Sequence, residues 1–151
     1  MQRIVLTKGK SVVVDKNDFG WLNRWKWTYH VKGYAYRMVN RKSILMHRLI
    51  NKTPAGMETD HINRNGLDNR RSNLRSCTHS QNVANSEKQK NNTSGFKGVS
   101  FLSSGTRKNR WAAEIKVNGK KIFLGYFIRP EIASSVYQNA ALKYHKEFLL
   151  K

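Results

Sequence analysis

METDHINRNGLDNRRSNLRSCTHSQNVAN, residues 57–85, decides how this chain is read. It divides into a short strand over 57–62, a polar loop over 63–72, a second short strand over 74–78 and a helix over 79–87, in the order β, β, α. The stretch also holds residue types that phosphodiester hydrolysis at neutral pH requires. Those needs are a base for water, a Lewis acid for the developing charge and help for the leaving oxygen. His61 is the natural base, since an unperturbed pKa of about 6.5 leaves it substantially neutral at pH 7. Asp60 precedes it on a strand, so the two side chains point to opposite sides, His61 toward a water and Asp60 toward a cation. Asn82, in mid-helix, offers an amide oxygen to a hard cation. Asn73, at the start of the second strand, is placed to accept from the His61 ring and fix its tautomer. A two-metal site normally collects several carboxylates, so the scarcity of acids favours one metal. A structural Asp–His hydrogen bond within a loop is the alternative that spacing leaves open.

Outward from this stretch the charge changes. The 151 residues carry 29 Lys and Arg against 9 Asp and Glu, a net charge of +20. Such a field attracts a polyanion, and nucleic acid is the usual one. Residues 1–55 contribute 12 basic and 2 acidic side chains, residues 56–90 contribute 6 and 4, and residues 91–151 contribute 11 and 3. Two basic flanks thus enclose a nearly balanced middle, in which cations hold a backbone while a carboxylate is spared for a metal. Cys77 is the only cysteine. A single cysteine excludes an internal disulfide and a multi-cysteine zinc site, and it fits a reducing cytosol. No apolar run approaches the ~18 residues of a membrane span and the N-terminus lacks a signal-peptide core. The expected location is therefore cytoplasmic and not secreted.

Upstream, residues 3–7 and 11–14 read as strands flanking the turn Lys8-Gly9-Lys10. Asp15 is placed to cap a short helix carrying Phe19, Leu22 and Trp25. Residues 27–31 and 34–39 flank Lys32-Gly33 as a second hairpin. Residues 43–50 read as a strand running into a helical turn. Downstream, residues 88–94 (KQKNNTS) have no apolar side chain and read as a linker. Residues 95–148 read as three strands and one helix. Over 110–117, Trp111, Ala113, Ile115 and Val117 share one face and Arg110, Ala112, Glu114 and Lys116 the other. Asn118-Gly119 is a strong hairpin signal, and the returning strand alternates Ile122 and Leu124 against Lys121 and Phe123. After Pro130, Ile132, Ala133, Val136, Tyr137, Ala140, Ala141 and Tyr144 recur at helical spacing and can cover the apolar face.

Two resemblances sharpen this reading. Asp60-His61, Asn73-Leu74-Arg75, Asn82 and Asn85 resemble the HNH motif of the ββα-metal nucleases, particularly homing endonucleases of phages and introns. The resemblance implies His61 as general base, Asp60 as metal ligand, Asn73 orienting the histidine and Asn82 completing the metal site. Met46-His47-Arg48-Leu49-Ile50 resembles a segment that often precedes the motif. His47 and Arg48 are accordingly candidate phosphate contacts, with structural packing of His47 as the alternative. Asp68 reads as a loop cap or as a holder of the motif loop. His79 reads as a surface or capping residue, and His30 and His145 as surface or core.

Ser94-Gly95-Phe96-Lys97-Gly98-Val99, Arg110-Trp111-Ala112-Ala113-Glu114-Ile115 and Leu124-Gly125-Tyr126-Phe127 resemble an AP2/ERF DNA-binding domain. That family lays a three-stranded sheet in the major groove, buttressed by one helix. Its DNA-contacting positions correspond here to Lys97, Ser100, Glu114, Lys116, Lys121 and Phe123. Several arginines and a tryptophan of the plant proteins are replaced, so their target preference does not transfer.

The expected fold is α+β. A small β-rich part (1–55) and a ββα-metal motif (56–87) form one domain, 88–94 a linker, and 95–151 a three-stranded antiparallel sheet plus one helix. The expected function is metal-dependent cleavage of double-stranded DNA, using one divalent ion, Mg²⁺ with Mn²⁺ as substitute. Zinc, a small-molecule cofactor and a membrane partner are not expected, and either a monomer or a homodimer fits. The rivals are a non-catalytic AP2-type DNA-binding regulator with a degenerate HNH fold, and an RNA-binding protein.

Overall fold

Two β-rich segments on either side of Lys8-Gly9 pair as an antiparallel hairpin, β1 (Gln2–Val5) with β2 (Ser11–Val14). Lys8 and Gly9 both take left-handed φ, and Leu6 N donates to Lys10 O at 2.8 Å to close the turn. These belong to a computed structural model that describes residues 1–88, 91–103 and 110–149. The chain divides into two units, Met1–Thr78 and His79–Lys151. Among the described residues, no helix is long and apolar enough to cross a membrane.

In the first unit the hairpin leads into α1 (Lys16–Leu22), which stops before Trp25. Trp25 instead lies against Arg37, whose guanidinium carbon is 4.0 Å from the ring centre. The strands β3 (Thr28–His30), β4 (Tyr34–Val39) and β5 (Lys42–Leu45) form an antiparallel sheet in that order, and β5 runs directly into α2 (Met46–Asn51). A two-stranded ribbon follows, β6 (Glu58–His61) with β7 (Leu74–Cys77). The loop between them ends in a 3-10 turn, Arg71–Asn73.

One core joins the N-terminal part to the ribbon. Val12, Val14, Leu22, Met46 and Ile50 are fully enclosed, and Leu74 of β7 joins the same cluster with Leu67 of the loop packed against it. Each such side chain removed from water contributes about 1.5–3 kcal/mol. The ribbon alone has too few apolar residues to supply a core. The loop also extends the first hairpin: Val13 N donates to Leu67 O and Asn69 N to Val13 O, both at 2.8 Å.

The second unit begins with α3 (His79–Asn85), the helix expected to close the first domain. In this division α3 groups with the sheet that follows it. Polar side chains account for this: Ser80 Oγ donates to Lys116 O at 2.8 Å and Asn92 Nδ2 to Phe96 O at 2.9 Å, folding helix and expected linker onto the sheet. Residues 89–90 of that linker lie outside the described residues.

The sheet itself, β8 (Val99–Phe101), β9 (Trp111–Val117) and β10 (Lys120–Phe127), is antiparallel in the order β10–β9–β8. Asn118 and Gly119 both take positive φ, as a two-residue type I′ hairpin turn demands. α4 (Pro130–His145) covers one face, with Ala133 and Ala141 fully buried. Gly98, at φ +70, meets Tyr137 so closely that a Cβ would fall 2.1 Å from its ring. A bulge at Leu124 breaks strict alternation, so Tyr126 joins Phe123 and Lys121 on the uncovered face. The α+β expectation of three strands and a helix holds for this unit as architecture; its likeness to a particular DNA-binding family is a separate matter.

Candidate active site

Asp60 and His61 end β6, paired in register with Arg75 and Leu74. Residues facing each other across an antiparallel ribbon share a side, so Asp60 and Arg75 lie on one face and His61 and Leu74 on the other. Both Asp60 and His61 are buried, at 4% and 5% exposure. A buried carboxylate requires a partner, and Arg75 supplies one: Nε and a terminal nitrogen reach Asp60 Oδ2 at 2.8 and 2.7 Å.

His61 Nε2 lies 2.8 Å from Asn69 Oδ1. An amide oxygen can only accept, so Nε2 carries the proton and the lone pair of the neutral ring sits on Nδ1. Burial lowers the His61 pKa, opposed by the Asn69 hydrogen bond and by the charges of Asp60 and Asp68. The ring is therefore neutral at pH 7. Asn69 is completely enclosed, and its Nδ2 is buried with no hydrogen-bond partner among the described residues. A buried unsatisfied donor costs about 1–3 kcal/mol, which sets Asn69 apart from an ordinary core residue.

Sequence reasoning gave the contact with His61 to Asn73, and here the structure differs. Asn73 Oδ1 accepts from Asn63 N at 2.9 Å, while its Nδ2 donates to Asn63 Oδ1 and Asp68 O at 2.9 and 2.7 Å. Asn73 thus sutures the two ends of the loop, and Asn69, within it, meets the histidine. Asp68 holds the loop, accepting from Asn63 Nδ2 and from Arg70. The Arg70 guanidinium keeps its carboxyl below the usual range.

Two more acids missed in the sequence grip the same loop. Asp18, buried in α1, takes Arg71 in a two-pronged pair at 2.8 and 2.7 Å. Asp15 makes no side-chain cap on α1; its Oδ2 accepts from Arg71 N at 2.8 Å. The sequence signal was present as two acids in an otherwise basic segment, but the loop lies more than fifty residues away.

The candidate phosphate contacts are also placed differently. Arg48 donates to Met57 O at 2.7 Å and Pro54 O at 3.5 Å, bracing the turn that feeds β6. His47 is buried, its ring centre 5.0 Å from that of His61.

Asn82 sits half-buried on α3, in the second unit. Among the described residues, no three His, Cys, Asp or Glu side chains converge as a metal cage. Beside His61, the buried carboxylate of Asp60 is the donor among the described residues. It fits a hard cation that takes one or two protein oxygens and completes its shell with water and phosphate.

On the sheet of the second unit, Ser100, Glu114, Lys116, Lys121 and Phe123 are all exposed, and register places them together on the face opposite α4. Lys121 Nζ lies 3.5 Å from Glu114, and the Phe123 ring is 4.6 Å from that of Tyr126. Lys97 departs from this group. Its ammonium donates to Val83 O, Ala84 O and Ser86 O at 2.7, 2.9 and 2.6 Å, and burial lowers its pKa. It terminates α3 instead of facing a ligand, because the carbonyls at a helix C-terminus attract a cation.

Residues 51–84 match the family model described as HNH endonuclease, a segment that contains Asp60, His61, Asn69, Asn73 and Asn82. An uncharacterized HNH endonuclease of Acanthamoeba polyphaga mimivirus is 29% identical over 147 residues, covering 93% of this chain and 74% of the relative. No solved structure matches the chain. At family level these similarities support a nuclease.

Proposed function

We propose that the chain is a metal-dependent DNA endonuclease that hydrolyses phosphodiester bonds with His61 as general base. The observation that carries this reading is the pairing of His61 Nε2 with Asn69 Oδ1 inside a buried site. That bond commits Nε2 as donor, so this reading gives the proton of the attacking water to Nδ1, and burial lowers the pKa of the ring. The charges of Asp60 and Asp68 favour the imidazolium that forms as the proton arrives. Asp60 is the residue that would hold a divalent cation, with Arg75 yielding part of its grip on the carboxylate. When bound, Mg²⁺ or Mn²⁺ supplies Lewis-acid stabilisation at the phosphate and the leaving 3′ oxygen.

The exposed face bearing Ser100, Glu114, Lys116, Lys121 and Phe123 is our candidate for docking the duplex, as in the AP2/ERF family. Site-specific, homing-type cutting is the finer reading this arrangement favours. The test is conversion of supercoiled plasmid by the full chain with Mg²⁺ or Mn²⁺. Cutting that EDTA stops supports the proposal, a nicked product reports one active site per event, and a linear product reports a dimer or a second encounter.

One observation favours a second reading. Asp60 Oδ2 is already bound twice by Arg75, as in a fold retained only for shape. A non-catalytic DNA-binding regulator would bind duplex tightly and leave every plasmid intact in either metal.

A further inference from the structure

The first fifty-five residues make a direct contribution to the environment of His61. Three rings meet there: Tyr34, first residue of β4, His47 on α2, and His61. Tyr34 stacks over His61 with ring centres 5.9 Å apart and planes inclined by 20°. His47 stands edge-on to both, at 5.0 Å from each and with planes inclined by 78° to His61 and 64° to Tyr34. With Asn69 on Nε2, the imidazole is held on its face, on its side and at one nitrogen.

From this geometry we infer that Tyr34 and His47 are positioning residues for His61, fixing the plane of its ring; as a statement about catalysis this rests on the nuclease reading above. Two further features of the fold agree. Gly66, in the motif loop, abuts the hairpin that carries Tyr34: a Cβ there would lie 2.4 Å from Gly33 O and 2.6 Å from Tyr34 Cδ1. The loop is therefore shaped to lie directly on the tyrosine ring. His47, 95% enclosed, keeps a buried Nδ1 with no hydrogen-bond partner among the described residues. A core position serving shape alone is filled more cheaply by an apolar side chain. Burial, then His61 and Arg48, push the His47 pKa down to about 3. The ring beside the base is thus neutral and does not oppose the imidazolium formed in the reaction. Positioning groups of this kind change activity by roughly 10–100-fold when removed.

The experiment pairs carbon-13-labelled histidine NMR of the full chain with steady-state cutting kinetics, in Tyr34→Phe, Tyr34→Leu and His47→Leu. The His61 ring signal is identified by its loss in His61→Ala. Tyr34→Leu should move that signal by removing the ring current and should lower kcat about 10–100-fold with KM within about twofold. Tyr34→Phe keeps the ring and should restore both. His47→Leu should move the signal and lower kcat while the chain still unfolds cooperatively. A His61 signal that stays put in folded Tyr34→Leu and His47→Leu overturns the inference, as does unchanged kcat in an active enzyme. The NMR arm needs no activity. A moved signal in a chain that never cuts therefore supports the ring arrangement and places the failure with the nuclease reading.

Discussion

Asn69 and Asn73 stand four positions apart in one loop, and exchanging their roles changes what each substitution should do. Asn69→Ala removes the acceptor on His61 Nε2 and frees the ring to adopt either tautomer. Cutting should fall about 10–100-fold with little change in the melting temperature, measured by single-turnover kinetics and thermal unfolding. Asn73→Ala removes its own hydrogen bonds to Asn63 and to Asp68 O and should be felt first as lost stability. Arg75→Ala leaves the buried Asp60 carboxylate with lost compensation and should cost about 3–5 kcal/mol, read from denaturant unfolding. His47 gives a pH signature of its own. Its folded pKa of about 3 lies below the unfolded value, so the unfolded chain takes up the proton first. The associated stability is complete above about pH 6.5 and declines by roughly 1 kcal/mol per pH unit as pH falls toward 3. Burial is the main cause of the shift, and His61 and Arg48 reinforce it. Unfolding curves between pH 4 and 7 should show that slope, and His47→Leu should flatten it.

At the scale of elements, periodicity was a reliable guide where a strand or helix has one wet and one dry face. β9 and α4 were legible for this reason, and so was the Asn118-Gly119 turn. The bulge at Leu124 was not, because a single inserted residue leaves the local pattern intact and only pairing with β9 reveals it. The ribbon of β6 and β7 could be read, but its loop could not. Asn63, Asn65, Asn69 and Asn73 carry the same side chain, and their partners are fixed by the fold. Lys97 is the instructive case. On paper it is one more cation near an anion-binding face, whereas folding turns it onto the end of α3. Lys97→Met should therefore cost about 1–3 kcal/mol and speed amide exchange near 83–86, more than it weakens DNA binding. Gly66→Ala must displace either Gly33 or Tyr34 and should lower both melting temperature and cutting rate.

Across the whole molecule the dominant quantity is charge. A net +20 spread over both flanks makes phosphate contacts the expected source of affinity, so binding should weaken steeply with salt. Replacing Lys116 and Lys121 together by Gln should lower the slope of log K against log salt by about 2, if each meets one phosphate. An unchanged slope would move the docking face elsewhere on the chain. Charge was fully legible from composition, but it names only the class of partner. In the function proposed above, what distinguishes cutting from holding is the neutral, oriented imidazole at the end of β6.

The most direct test of that claim is the single-turnover cutting rate of duplex DNA in Mg²⁺ by the full chain and by His61→Ala, at protein concentrations that bind all the DNA. The account predicts that His61→Ala binds as tightly and unfolds as cooperatively while its rate drops about 10²–10⁴-fold. Equal rates in the two proteins would contradict it, for the proton of the attacking water would then be leaving by another route.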